Sequence, residues 1–238
     1  VALSAVVLAA GRGSRLAAAR PEPKPLVPVG GVPLLLRMVG ALAGAGVRDV
    51  HVVVGHRGDE VVAAMQTWNV QPHTLFNPAW ERQLGLSVLA AREIIAPGTV
   101  LAMTDHLVSP RLLERLVAAT PRAPLALAVD RAVGAVFDLD DATKVRTEGA
   151  RIADIGKALS RFDAIDTGVF RVGPALVAAL EDIVQRTGDA SLSDGVRALA
   201  ARGEAEAVDV TGCAWLDVDT PASLREAERL VSAGAFDG

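Results

Sequence analysis

The sequence predicts an α/β protein in which a mainly parallel, mixed sheet is flanked by helices. Short apolar runs rich in β-branched residues alternate with helix-like segments over the first 130 residues. The first run leads straight into a glycine-rich turn, the place where open α/β sheets put their ligands. Beyond Asp130 the runs shorten and polar turns separate them, which adds strands of the hairpin type.

Taken in order, strands are expected at residues 5–8, 50–54, 100–103 and 125–129, and helices at 34–45, 59–66, 86–95 and 110–119. Apart from His51 each of the four strands is apolar, as a strand covered on both faces requires. Further strands are expected at 143–147, 151–155 and 164–171, with a hairpin turn near Gly149, followed by helices at 173–185 and 192–201. A last strand pair is expected at 205–210 and 214–217. The closing helix spans 221–233, with Thr220 as its cap and Pro221 in its first turn. No internal repeat or low-complexity linker interrupts the 238 residues, so one domain over 1–238 is expected.

Composition narrows the function classes. The formal charge of −4 and the absence of a basic cluster argue against a nucleic-acid partner. No apolar run approaches the ~20 residues of a membrane helix. The stretch at 5–10 is too short for a signal-peptide core and runs into glycines rather than a cleavage site. The single cysteine, Cys213, excludes an internal disulfide and a cysteine-based zinc site, which fits a cytoplasmic location.

Leu8-Ala9-Ala10-Gly11-Arg12-Gly13-Ser14-Arg15-Leu16 carries the strongest chemical signal. Glycines here permit positive φ and close backbone approach, so that N–H groups can face phosphate oxygens, and Arg15 adds a bidentate charge. An ordinary strand-to-helix turn also accounts for two glycines. The loop has neither the third glycine of a dinucleotide fingerprint nor the Gly-Lys-Ser/Thr ending of a P-loop. In Pro23-Lys24-Pro25 the prolines are expected to hold Lys24 in extended backbone, ready to neutralise charge in phosphoryl transfer.

Two carboxylate positions follow. Thr104-Asp105-His106 stands at the carboxyl end of the strand at 100–103, where Asp105 either holds a hard cation such as Mg²⁺ or forms a turn. His106 is read as supporting structure. In Asp217-Val218-Asp219-Thr220-Pro221 the period-two geometry puts Asp217 and Asp219 on one side and Val218 on the other. Helix capping explains Thr220 or Asp219, but not the pair.

The glycine loop with Pro23-Lys24-Pro25-Leu26 resembles the signature of the sugar-phosphate nucleotidyltransferase family. That resemblance implies a Rossmann-like domain with a nucleoside triphosphate on residues 8–14, Thr104 beside it, and Mg²⁺ held by Asp105 and Asp219. It also implies a division into a nucleotide-binding part, about 1–130, and an acceptor-binding part, about 131–220.

A narrower pattern runs through Asp138-Leu139-Asp140-Asp141-Ala142-Thr143-Lys144-Val145, Ile155-Gly156-Lys157 and Asp163-Ala164-Ile165-Asp166-Thr167-Gly168. It is similar to the branch of the family that transfers CMP from CTP to inositol 1-phosphate. Lys144 and Lys157 would then lie near the acceptor phosphate, and Asp166 and Thr167 would bond its hydroxyls before Gly168 allows close approach. Lys144 is equally explained by cross-strand pairing with an acid. Relatives carry Gly-Asn-Gly and a later Ser on the nucleotide side; here Gly85 and Ser87 match while Gln83-Leu84 departs.

The expected reaction is attack by an acceptor phosphate oxygen on the α-phosphorus of CTP, aided by Arg15, Lys24, Asp105 and Lys157. Other readings are another sugar phosphate, phosphocholine or a molybdopterin-type acceptor, and a catalytically silent nucleotide-binding module. A glycosyltransferase would be expected to have a donor-metal Asp-x-Asp without the glycine-arginine loop.

Overall fold

The apolar run near the N-terminus becomes β1 (Ser4–Ala9) in a computed structural model of the chain, which describes residues 3–17 and 20–236. The expected domain limits, 1 and 238, lie outside the described residues. Period two sorts the side chains of β1 between two cores: Val6 and Leu8 enter one, Ala5, Val7 and Ala9 the other. A strand covered on both faces has no room for polar residues, which is why its sequence is unbroken by charge.

Along the chain follow α1 (Ser14–Ala17), β2 (Pro28–Val29), β3 (Val32–Pro33), α2 (Leu34–Gly44), β4 (Asp49–Val54), α3 (Gly58–Met65), β5 (His73–Phe76) and α4 (Gly85–Ala90). Next come β6 (Thr99–Met103), β7 (His106–Val108), α5 (Pro110–Ala118), β8 (Leu125–Asp130), β9 (Lys144–Glu148), β10 (Arg151–Gly156) and β11 (Ala164–Val172). The chain closes with α6 (Pro174–Thr187), α7 (Leu192–Ala201), β12 (Ala205–Asp209), β13 (Trp215–Asp217) and α8 (Pro221–Ser232).

Nine strands form one sheet in the order β5-β4-β1-β6-β11-β8-β12-β10-β9. Neighbours from β5 to β6 are parallel. β11 runs antiparallel to β6 and to β8, β12 is parallel to β8, and β10 is antiparallel to β12 and β9. The sheet is thus mixed, as expected, with its parallel pairing concentrated in the N-terminal part. Helices α2, α3 and α5 contribute Leu35, Val61 and Leu112 to the core on one face, and α4, α6 and α7 contribute Val88, Leu180 and Leu199 on the other. Truncating a fully buried leucine such as Leu101 to alanine costs about 2–5 kcal/mol at sites of this kind.

A third, smaller core joins Leu16, Leu34, Leu107, Leu216, Val218 and Leu224. It ties α1, β7, β13 and α8 together beneath the carboxyl ends of the central strands. α8 begins as expected: the Thr220 side chain accepts from the Ser223 N–H, Ser223 caps in return, and Pro221 fills the first turn.

Several elements differ from the sequence expectation, the short strands β2, β3 and β7 among them. The helix expected at 86–95 ends at Ala90 and continues as turns, because β-branched Ile94 and Ile95 precede Pro97 and the chain must reverse into β6. β12 and β13 do not pair with each other. β12 fills the slot between β8 and β10, while Gly212, at φ 83°, turns the chain so that β13 pairs with β7. β5 was not expected at all; it is a mostly exposed edge strand whose residues do not alternate in polarity. Among the described residues no helix is long and apolar enough to cross a membrane.

Candidate active site

The loop after β1 lines a cavity of about 240 Å³. Of the residues expected to touch a nucleotide, Leu8, Ala9, Gly11, Gly13, Ser14 and Thr104 line it, together with Arg15, Lys24 and Asp105. Only Gly13 of the loop has positive φ, at 60°, and a Cβ there would stand 2.6 Å from the Lys24 stem. Gly11 faces open space instead, with nothing within 4 Å of where its Cβ would be.

Lys24 is not in extended backbone. It opens a 3₁₀ turn over Lys24–Leu26, because the Leu26 N–H reaches the Pro23 carbonyl at 2.8 Å and Pro25 has the φ such a turn needs. The turn and the Gly13 contact together restrain the side chain, which is only 9% exposed. Its ammonium donates to Asp105 Oδ2 at 2.7 Å and also to Asp219.

Asp105 follows β6 and accepts from His106 Nδ1 at 3.0 Å. Burial would raise its carboxyl, but the Lys24 charge and the His106 bond outweigh burial and hold it well below the usual range. His106 is correspondingly pushed up to about 9: burial opposes its protonation, and Asp217, Asp105 and Asp166 overcome that cost. Its ring lies nearly parallel to Trp215, centroids 6.2 Å apart, and Trp215 Nε1 donates to Asp130 at 2.8 Å. Supporting structure is therefore a fair description of His106, but it supports Asp105 directly.

Val218 is fully buried in the third core, so Asp217 and Asp219 emerge on the opposite side, as period two requires. Ligand atoms of Asp105, His106 and Asp217 lie within 4.8 Å of one another, and so do those of Asp141, Asp217 and Asp219. Asp217 belongs to both groups. Burial raises its carboxyl, and its Oδ1 is buried without a hydrogen-bond partner among the described residues. The hydroxyl of Thr104 is in the same condition. Hard oxygen donors with one buried and unpartnered fit a divalent cation of the oxygen-seeking kind.

A second cavity of about 130 Å³ adjoins the first and shares Leu84, Met103 and Asp219 with it. Lys157 and Asp166 line it. A register shift in β11 between Asp166 and Phe170, with Gly168 at φ 76°, aims Asp166 into the cavity. Its Oδ1 accepts the Gly168 N–H at 2.7 Å, and burial pushes the carboxyl up to about 6. Gly168 lines the cavity too, and it makes room for His106: a Cβ there would lie 2.5 Å from the imidazole ring.

Several expected contacts lie elsewhere. Thr167 is fully buried and spends its hydroxyl on the Ala128 carbonyl at 2.9 Å, facing the sheet because its neighbours face the cavity. Lys144 is buried and donates to the Asp140 carbonyl at 2.8 Å, so it braces the 138–141 turn rather than pairing across strands with an acid. Gly85 packs against Ala190, whose carbonyl would be 2.5 Å from a Cβ, and Ser87 bonds buried Asn77 at 2.9 Å. Neither lines either cavity. Ala10 accepts from the His56 N–H at 2.9 Å, and Arg12 lies over the Trp80 ring at 5.5 Å.

One residue had no role in the sequence reading. Asp141 receives Arg15 Nη1 at 2.7 Å and Lys157 Nζ at 2.9 Å on its two oxygens. The only signal for it was its place inside the Asp-rich turn.

A glycine loop at the end of a central parallel strand, faced by a buried lysine and converging carboxylates, is the layout of a nucleotidyltransferase domain. Residues 5–137 match the model of the MobA-like NTP transferase domain, and the chain belongs to that family. It is 40% identical to a bifunctional IPC transferase and DIPP synthase of Rubrobacter xylanophilus, over 99% of this chain and 53% of that protein. It is 36% identical to the CMP-5′-(3-aminopropyl)phosphonate synthase of Streptomyces rubellomurinus, over 96% of this chain and 38% of that protein. The chain thus spans about half or less of these relatives. Among solved structures, the inositol-1-phosphate CTP transferase from T. maritima superposes with a TM-score of 0.84 at 25% identity, covering 97% of this chain and 95% of that one.

Proposed function

We propose that the chain transfers the cytidylyl group of CTP to inositol 1-phosphate and releases pyrophosphate. The observation that carries this reading is the shared wall of the two cavities, where Asp219, paired with Arg15 and Lys24, borders both. Two anionic substrates can meet there beside fixed cations. The R. xylanophilus relative and the T. maritima structure support the choice of nucleotide and acceptor.

In this reading residues of about 1–130 hold the triphosphate and residues of about 131–220 hold the acceptor. An acceptor phosphate oxygen bonds to the α-phosphorus while the bond from that phosphorus to the β-phosphate oxygen breaks, and pyrophosphate leaves with the electron pair. The nucleophile is already an anion, so no side chain has to remove a proton. Lys24 and Arg15 neutralise the departing pyrophosphate, Lys157 draws in the acceptor phosphate, and Asp166 orients acceptor hydroxyls. Asp105 and Asp219, with Asp217 in reach, would hold Mg²⁺, which when bound neutralises phosphate charge. The free cysteine, Cys213, fits work in the reducing cytoplasm.

The test is pyrophosphate release with Mg²⁺ across the four ribonucleoside triphosphates, each paired with inositol 1-phosphate, glucose 1-phosphate, phosphocholine and 3-aminopropylphosphonate. Turnover confined to CTP with inositol 1-phosphate is expected. Another productive pair would keep the reaction class and change the acceptor; no turnover with any pair would overturn the reading.

A further inference from the structure

Arg15 belongs to α1 beside the glycine loop, and Lys157 follows β10 in the neighbouring cavity. Among the described residues, Asp141 is the group bonded to both cations: it takes Arg15 on Oδ2 at 2.7 Å and Lys157 on Oδ1 at 2.9 Å. Asp141 is itself fixed. Its N–H and that of Ala142 both bond the Asp138 carbonyl, at 3.1 and 3.2 Å, and Lys144 holds the Asp140 carbonyl from below at 2.8 Å. Asp138 completes the turn with φ at 54°, a conformation few side chains adopt.

We propose that Asp141 is a positioning residue that gathers Arg15 and Lys157 at the border of the two cavities, where the attacking and attacked phosphates meet. The role in turnover rests on the transferase reading above. Two phosphates brought into contact repel each other, and two cations brought to the same place also repel. A carboxylate between the cations removes the second repulsion before substrate arrives, so less reorganisation remains for the reacting complex. Arg15 and Lys157 are 47% and 57% exposed, and ion pairs this open contribute little to stability. Loss of Asp141 therefore leaves the fold intact and appears in the kinetics.

A bystander carboxylate predicts the opposite sign. Removing a negative charge beside phosphates would strengthen their binding and speed their reaction, whereas a positioning carboxylate does neither when removed. The experiment compares wild type, Asp141→Asn and Asp141→Glu in two measurements. In steady state, Asp141→Asn is expected to lower kcat about tenfold with KM for the nucleotide within about twofold, and Asp141→Glu to recover part of the loss. By calorimetry in chelator, where no metal can bridge Asp141, Asp217 and Asp219, inorganic pyrophosphate is expected to bind Asp141→Asn about threefold more weakly than wild type. Unchanged or higher kcat, or equal or tighter pyrophosphate binding, in the Asn variant would overturn the proposal. The pyrophosphate measurement needs no acceptor. If wild type turns over no substrate pair, the transferase reading fails and calorimetry still decides the role of Asp141.

Discussion

Lys24 stands between two carboxylates, with its ammonium 2.7 Å from Asp105 Oδ2 and bonded to Asp219 from the other side. The two acids would otherwise repel each other, so the lysine holds the place that a metal ion and the substrate phosphates must negotiate. Its removal takes from two largely buried carboxylates the cation they share, leaving Asp219 with Arg15 and Asp105 with His106. Lys24→Met is expected to lower kcat by about 10²-fold or more. The same variant should gain more melting temperature from added Mg²⁺ than wild type does, because Asp105 keeps only His106 and Asp219 only Arg15 once the lysine they share is gone. Equal Mg²⁺ gains in thermal melts of the two proteins would contradict this arrangement.

His106 makes the metal-free protein sensitive to pH. Its pKa is raised to about 9 by neighbouring carboxylates, with burial opposing. A histidine whose folded pKa is raised contributes stability that is complete below its unfolded value, about 6.5, and is lost as pH rises through about 9. The Asp105 carboxyl, which is held low, contributes above its unfolded value and does not vary across this window. Thermal melts in chelator should fall by roughly 5 °C more between pH 6.5 and 9 for wild type than for His106→Gln. Parallel curves for the two proteins would remove His106 from this role.

Adjacent residues on β11 should separate binding from stability. Asp166 faces the second cavity with one oxygen on the Gly168 N–H, whereas Thr167 is turned into the sheet and bonded to Ala128. Asp166→Asn is expected to raise the acceptor KM about tenfold with little change for the nucleotide. Thr167→Val should leave both constants unchanged and cost about 1 kcal/mol in denaturant unfolding, by stranding a buried carbonyl. An acceptor KM that responds to Thr167 and not to Asp166 would reverse the assignment.

The sequence was most legible where chemistry depends on local backbone. β1, β4, β6 and β8 are mostly apolar because both faces are covered, and the glycine loop and Asp105 sit at the strand ends where such sheets present ligands, with Lys24 lining the same cavity. Val218 between two aspartates announced which side each would take. Long-range placement was not legible. The pairing of β13 with β7, the Gly168 gap filled by His106 and the bridge from Asp141 to Arg15 join residues far apart in sequence. Thr167, Lys144, Gly85 and Ser87 have the right chemistry for ligands, yet each side chain or backbone contact is used inside the protein. β5 escaped notice because an edge strand needs no apolar face to be held by one neighbour.

In the proposed reaction a phosphate oxygen of the acceptor attacks the α-phosphorus of CTP. The most direct test is ³¹P NMR of the reaction of CTP with inositol 1-phosphate carrying ¹⁸O in its phosphate. A new diphosphate diester with ¹⁸O retained in its bridge, and released pyrophosphate free of label, are expected. Label in the pyrophosphate, or release of pyrophosphate with no diester formed, would contradict this reaction.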